Sequence, residues 1–304
     1  MILHILYTSN PNGGAQKFAL EISKTVENVV TTTVEYIDTE SIYEQSGYDY
    51  CNWEDAKSKL SSFSKIIISD FRSLLSISLC AYQLSKKSKL YFIPHHDKLT
   101  KFPFLYIIKF ICRLLNIEIL STTRTQRNIF ETDHWYKLYD YPDLQEIITV
   151  STPKIIFFGR MAKSKRINKL FMHLSKLKLV NIQITLVGKT IKKNEALKTQ
   201  KNTTVYDWMD HNELLKFIKL HAFSYNGAKL EGISLQSLEA MSCGLVPIFY
   251  SKQMAFNLYL DGEPVLITDG LLQRIESREK ITISTRKLRK ALREARKISD
   301  VLQN

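Results

Sequence analysis

The sequence predicts an α/β fold built as two parallel-sheet halves, and three observations carry that prediction. Short apolar runs of strand character alternate with longer stretches of helical period, about four times in each half. A segment bounded by turn formers, Asp140 to Pro153 with Pro142 and Pro153, separates the halves as a linker. The length, 304 residues, suits two domains of roughly 150 residues. An apolar share of 44%, with 15 Tyr, 15 Phe and 3 Trp, can fill a core in each.

In the first half, Met1 to Tyr7 reads as a buried strand and Thr8 to Gly14 as a loop of turn formers. The following helix carries Ala15, Phe18, Ala19, Ile22 and Val26 on one face. Strand, glycine loop and helix together can present free backbone amides to a phosphate, although Gly13-Gly14 alone is better read as a plain turn. Strands are expected at Thr33–Ile37, Lys65–Ser69 and Leu90–Pro94, with a polar connection from Asp38 to Asn52 and a helix near Leu74 to Leu84. The strand at Leu90–Pro94 runs into His95-His96-Asp97, and open α/β sheets gather catalytic groups at the carboxyl ends of their strands. Ile117 to Ser121 is expected as the last strand of this half.

The second half restarts at Lys154–Phe158, followed by Gly159-Arg160-Met161-Ala162-Lys163-Ser164-Lys165. Ile182 to Val187, Val205 to Met209 and Ala222 to Tyr225 read as further strands, with a helix over Asn212 to Leu220. Next comes Glu231-Gly232-Ile233-Ser234-Leu235, leading into a helix whose apolar rhythm uses Ile233, Leu235, Leu238 and Met241. Gly244 ends it, and Leu245 to Phe249 forms a short buried strand. Glu231 and Glu239 stand eight residues apart, a little over two helical turns, so they lie on nearly the same side. Gly232 admits a ligand to the backbone, and the amides of Gly232, Ile233, Ser234 and Leu235 are free donors at a positive dipole end. An ordinary amphipathic helix with a solvated glutamate at each end has the same spacing. From about Thr285 a final helix sets Leu288, Ala291, Leu292, Ala295, Ile298 and Leu302 in one stripe among arginines and lysines.

The run E-G-x-S-L-x-x-L-E-A-M-x-C-G-x-x-P resembles the E-x7-E signature of retaining GT-B glycosyltransferases, those like glycosyltransferase family 4. Other segments resemble the family in the expected order. Gly13-Gly14-Ala15-Gln16 is similar to its G-G-A-[EQ] loop, Arg160 with Lys165 to its G-R-x4-K element, and Ser121-Thr122-Thr123 to its S-x-x segment. The resemblance implies two Rossmann-like domains facing across a cleft, residues 1–145 on the acceptor side and 153–284 on the nucleotide-sugar side. Residues 285–304 would form a C-terminal helix crossing back to the first domain. It further implies donor contacts at Gly13, Gly14, Arg160, Lys165 and Trp208, sugar hydroxyls held by Glu231, and a ribose held by Glu239. The family's histidine near the transferred sugar matches either His95 or the pair His96-Asp97. Two positions depart from the pattern: Arg166 stands where the family usually has Gly, and Tyr250-Ser251-Lys252-Gln253-Met254-Ala255 replaces a G-G-x-x-E loop that often touches the sugar.

The resemblance implies transfer from a UDP-sugar, a co-substrate and not a resident cofactor. No aspartate pair of metal-ligand character occurs, so metal-independent catalysis is expected. A net charge of +13 favours a polyanionic or anionic-surface partner, with Lys163 and Arg166 as candidate contacts. Local resemblance to bacteriophage DNA hydroxymethylcytosine glycosyltransferases points to double-stranded DNA with hydroxymethylated bases as acceptor. A bacterial surface glycan or glycolipid at an anionic membrane is the alternative, and Phe102 to Leu115 could be the membrane-facing helix or simply core. A non-enzymatic nucleic-acid binder on a transferase fold is the third reading. Four cysteines without metal or disulfide spacing, no signal-peptide pattern and no long apolar run predict a cytoplasmic protein, in host cytoplasm if viral, and a monomer.

Overall fold

The computed structural model describes residues 1–6, 14–33, 51–69, 71–84, 88–94, 103–137, 141–159, 163–188, 201–229, 233–260 and 265–303. Its contacts divide the chain into two compact units, residues 1–140 with 294–304, and residues 141–293.

In the first unit β1 (Ile2–Leu6), β2 (Val29–Thr33), β3 (Lys65–Ile68), β4 (Lys89–Phe92) and β5 (Ile117–Ile119) form an all-parallel sheet in the order β2-β1-β3-β4-β5. Parallel neighbours need crossovers. Helices α1 (Gly14–Thr25), α2 (Trp53–Ser58), α3 (Phe71–Leu84) and α4 (Phe104–Leu114) lie between successive strands and supply them. The strands are apolar on both faces because both are covered. Leu3, Ile66 and Ile68 pack with Leu74, Ile77 and Ile108, while Ile2, Ile67 and Tyr91 pack with Phe18 and Ile22. The strand expected at Thr33–Ile37 is instead β2 at Val29–Thr33, since the register Ile2↔Val29 brings Val29 into the core; residues 34–37 lie outside the described residues. Helix α5 (Arg124–Phe130) follows, capped by Thr123, whose side chain accepts from the Gln126 amide. Gln126 is fully buried: its Nε2 donates to the Pro94 carbonyl at 2.6 Å and its Oε1 accepts from the Thr122 amide at 2.9 Å. A two-residue strand, β6 (Tyr136–Lys137), closes this stretch.

The segment expected as a plain linker contains a strand, β7 (Ile147–Val150), with Ile148 buried. The second unit's main sheet comprises β8 (Lys154–Phe158), β9 (Gln183–Val187), β10 (Thr203–Tyr206), β11 (Phe223–Asn226) and β12 (Val246–Phe249). It is parallel throughout, in the order β10-β9-β8-β11-β12. Chain order therefore reverses between β8 and β11. Ile155 and Phe157 point to one face, with α6 (Ile167–Leu177) packed there through Leu170 and Phe171. Ile156 and Phe158 point to the other, against Ile218 of α7 (His211–Ile218). Helix α8 (Leu235–Ser242) precedes β12, α9 (Lys252–Asn257) follows it, and α10 (Asp269–Glu276) joins the α6 face through Leu271 and Leu272. Strand β13 (Ile281–Ser284) pairs antiparallel with β7.

The single C-terminal helix expected from Thr285 is two helices. Its apolar stripe serves two different cores, so it cannot stay continuous. In α11 (Arg286–Glu294), Leu288 belongs to the second unit's core. The chain then extends as β14 (Arg296–Lys297), parallel to β6, and α12 (Ile298–Gln303) buries Ile298 and Leu302 beside Ile2 and Phe18 in the first unit. Lys65 Nζ donates to the Leu302 carbonyl at 2.7 Å, and Gln303 Nε2 to the Thr25 carbonyl at 2.9 Å.

Candidate functional site

Open parallel sheets bind ligands outside the carboxyl ends of their strands, where the strand order reverses. In the second unit that point lies between β8 and β11, and a glycine stands at each strand exit there, Gly159 and Gly227. After β8, Gly159 takes φ 119° and the chain passes into a tight 3₁₀ turn, Lys163–Lys165. After β9, Gly188 takes φ 141°, and a Cβ at that position would lie 2.0 Å from the Gly159 carbonyl oxygen, so the two strand exits touch backbone to backbone.

After β11, Gly227 does the same for the turn that holds Lys165. A Cβ on Gly227 would lie 2.0 Å from the Lys165 carbonyl oxygen and 2.8 Å from the Tyr225 hydroxyl. Only glycine lets the two loops meet at that distance. Tyr225, buried in β11, donates its hydroxyl proton to the Arg166 carbonyl at 3.1 Å, and burial pushes its pKa up. Arg166 sits at the head of α6 in the left-handed region, φ 47° and ψ 38°, a conformation that costs a side-chain-bearing residue roughly 1 kcal/mol. Its guanidinium lies over the Tyr250 ring, 5.1 Å from the centroid.

The start of α8 is tied to the β11 exit by a buried polar network. Ser234 caps the helix, its Oγ accepting from the Ser237 amide at 3.2 Å. The same Oγ accepts from Asn226 Nδ2 at 2.6 Å, and Asn226 Oδ1 in turn accepts from the Ala228 amide at 3.1 Å. The Tyr250 amide donates to the Asn226 carbonyl at 3.1 Å, which adds the β12 exit to the assembly. The amides of Leu235 and Gln236 begin the helix without a helical partner, as the first amides of any helix do, at its positive dipole end.

Of the residues expected here from the sequence, Lys165, Ile233, Ser234, Leu235 and Glu239 fall at this edge or in α8. Ser234 is buried; Lys165, Ile233, Leu235 and Glu239 are half-buried. Trp208 follows β10 at the same carboxyl edge and is 63% exposed. Beside it Thr203, Thr204, Val205 and Asp207 line an open cavity of about 310 Å³. Lys163 is exposed and Arg166 half-buried. Gly14 is the first residue of α1. Gly13, His95, His96, Asp97, Arg160, Glu231 and Gly232 lie outside the described residues. The sequence reading missed Tyr225, Asn226, Gly227 and the Arg166–Tyr250 contact. Asn226-Gly227 at a strand end is a turn signal and could have been found; the contact, between residues far apart in the chain, could not. Among the described residues, no group of three His, Cys, Asp or Glu side chains could hold a metal ion.

Residues 145–298 match the family described as glycosyl transferases group 1. Among solved structures, the chain superposes on Anabaena Alr3699/HepE in complex with UDP-glucose with a TM-score of 0.66 at 12% identity, covering 97% of this chain and 95% of that one. The lipopolysaccharide outer core galactosyltransferase WaaB gives 0.61 at 15% identity, covering 99% and 93%. An α-glucosyltransferase in complex with UDP and a 13-mer DNA containing a HMU base gives 0.56 at 14%, covering 99% and 97%. These likenesses establish the two-domain α/β fold of GT-B glycosyltransferases. No curated protein sequence matches the chain.

Proposed function

The chain belongs to the group 1 glycosyl transferases, and on that premise we propose that it moves a sugar from a UDP-sugar to an acceptor hydroxyl, with retained anomeric configuration and without a bound metal. The observation that carries this is the meeting of the Lys163–Lys165 turn, Gly227 and the Ser234-capped start of α8 at the switch point of the second sheet. As the bond between sugar C1 and the diphosphate breaks, negative charge grows on the departing phosphate. Lys165 and Arg160, with the amides leading into α8, supply fixed positive charge for it. Glu239 holds the ribose and Glu231 the sugar hydroxyls, an arrangement of the family 4 type. Trp208 offers a face to the base, and His95 or His96-Asp97 lies near the transferred sugar.

For the acceptor, helix α4 favours a glycan or glycolipid at an anionic membrane surface. Ile108, Ile111 and Cys112 fill the core, yet Tyr106, Phe110 and Leu114 form a second apolar row at four-residue spacing, 66%, 67% and 65% exposed. Arg113 is exposed beside that row. An exposed apolar row beside an exposed cation suits a lipid interface better than a phosphate backbone. The enzyme would work on the cytoplasmic face; among the described residues no helix is long and apolar enough to cross a membrane. Hydroxymethylated double-stranded DNA is the second reading, favoured by the net charge of +13 and by the fold shared with the DNA-bound α-glucosyltransferase.

The test is transfer from radiolabelled UDP-sugars, with lipid extracts, hydroxymethylcytosine DNA and plain DNA as parallel acceptors, each with and without chelator. Label in lipid or glycan is expected. Label on hydroxymethylated DNA alone would move the acceptor to the second reading. Chelator-sensitive activity restored by Mg²⁺ or Mn²⁺, or a product of inverted configuration, would overturn those parts of the proposal. Intact biological activity in Glu239→Ala and Arg160→Ala variants would favour a non-enzymatic binder.

A further inference from the structure

The two places where this chain departs from its family's pattern, Arg166 and Tyr250, touch each other. Arg166 follows β8 and Tyr250 follows β12, strands separated in the sheet only by β11. The guanidinium lies over the Tyr250 ring at 5.1 Å, and its Nη1 is buried with no hydrogen-bond partner among the described residues. Burying an unpaired N–H of a permanent cation is unfavourable. The backbone adds to that cost, since Arg166 holds φ 47°, where the family's glycine would be at ease. The surroundings nonetheless fix it in place: the Tyr225 hydroxyl grips its carbonyl, Gly227 seats the preceding peptide, and the Tyr250 amide is anchored on Asn226. Asn226 also holds the cap of α8. A half-buried cation clamped at the switch point of the sheet is arranged to meet an oxygen that arrives with a ligand.

We infer that Arg166, laid on Tyr250, contacts the donor: its half-buried guanidinium takes an anionic oxygen of the nucleoside diphosphate sugar. This rests on the second unit being the nucleotide-sugar side. The oxygen belongs either to the diphosphate or to a carboxylate on the sugar, and the two sources separate by experiment. Tyr250 serves as a positioning residue, holding the guanidinium plane.

Binding of UDP, UDP-glucose and UDP-glucuronic acid is measured by calorimetry for the unsubstituted chain and for Arg166→Gly, Arg166→Lys, Tyr250→Leu and Glu239→Ala. Glycine is the residue this backbone conformation prefers, so Arg166→Gly should melt no lower than the parent, and any lost affinity is not lost folding. Removing one charge-assisted hydrogen bond should weaken binding roughly ten- to a hundredfold. A loss shared by all three ligands assigns the contact to the diphosphate; a loss confined to UDP-glucuronic acid assigns it to a sugar carboxylate. Arg166→Lys should recover part of a diphosphate contact, as a point charge does, and Tyr250→Leu should fall between parent and Arg166→Gly. If Glu239→Ala loses binding while Arg166→Gly stays within twofold for every ligand, the inference is overturned and the donor site stands. If the unsubstituted chain binds no UDP, both fall.

Discussion

Replacing Ser234 by alanine removes one oxygen on which two parts of the site depend, the start of α8 and the exit of β11. Its Oγ caps α8 by accepting from the Ser237 amide, and it takes the 2.6 Å bond from Asn226 Nδ2. Loss of an N-cap costs about 1 kcal/mol. Asn226 is buried, and its Nδ2 keeps only a 3.3 Å contact to Ser237 Oγ. Leaving such a donor poorly satisfied costs a further ~1–3 kcal/mol. Ser234→Ala should therefore destabilise the chain by about 2–4 kcal/mol, read as a lower urea midpoint at unchanged slope. The control is Ser242→Ala at the other end of the same helix. There the hydroxyl only donates back to the Glu239 carbonyl at 2.7 Å, a bond that does little for a helix, so its loss should stay within ~0.5 kcal/mol. If the start of α8 presents amides to the donor as proposed, Ser234→Ala should also raise KM for the UDP-sugar more than it lowers kcat. Equal stability of the two variants, or an unchanged KM in Ser234→Ala, would refute the claim that this network sets the site.

Gly227→Ala drives a methyl into the Lys165 carbonyl and the Tyr225 hydroxyl; overpacking against backbone should cost ~1–3 kcal/mol and raise KM by displacing the Lys165 turn, measured by urea unfolding and steady-state kinetics. His4, fully buried in β1 with Nε2 2.5 Å from Ser69 Oγ, has its pKa pushed down to about 3 by burial. Below pH ~6.5 the unfolded chain takes up a proton that the folded one refuses, so stability falls by about 1.4 kcal/mol per pH unit, about 2 kcal/mol by pH 5. His4→Gln should lose that part of the slope when urea midpoints are compared between pH 7.5 and pH 5. Phe110→Ser with Leu114→Ser should weaken flotation with anionic phospholipid vesicles roughly tenfold or more, leaving the melting temperature nearly unchanged because both side chains are exposed.

How legible the fold was depends on where its information lies. Most of the parallel strands are readable because both faces are covered, which leaves continuous apolar runs such as Lys154–Phe158 and Lys65–Ile68 in the sequence; the less apolar β2 and β10 begin at Val29 and Thr203, ahead of the expected Thr33 and Val205. The body and end of α8 are readable because Leu235, Leu238, Met241 and Gly244 punctuate them locally, whereas its start falls at Leu235 behind the Ser234 cap, two residues after the Ile233 that the apolar rhythm includes. Strand β7 was not, because Ile147–Val150 looks like connection until β13, more than a hundred residues later, gives it a partner. The break between α11 and α12 was hidden for the opposite reason: helical periodicity runs through it, and only the two separate cores interrupt it. Site residues followed the same division. Lys165 and Glu239 belong to local spacings, whereas Asn226 and Tyr250 matter through partners that only the sheet order brings near. Arg166 stood out in the sequence as an anomaly, but its half-buried setting is a property of the folded chain.

The return of the last residues to the first unit has a consequence for synthesis on the ribosome. Residues 141–293 are contiguous, so the second unit can complete its core as soon as they have emerged. The first unit, although made earlier, lacks Ile298 and Leu302 until that stretch has been made, and those two side chains are worth about 1.5–3 kcal/mol each when buried. The nascent chain thus finishes residues 141–293 before the unit made first, which must wait, incompletely sealed, for residues 294–304. A stop codon after residue 293 would leave the later-made unit whole and the earlier-made one open.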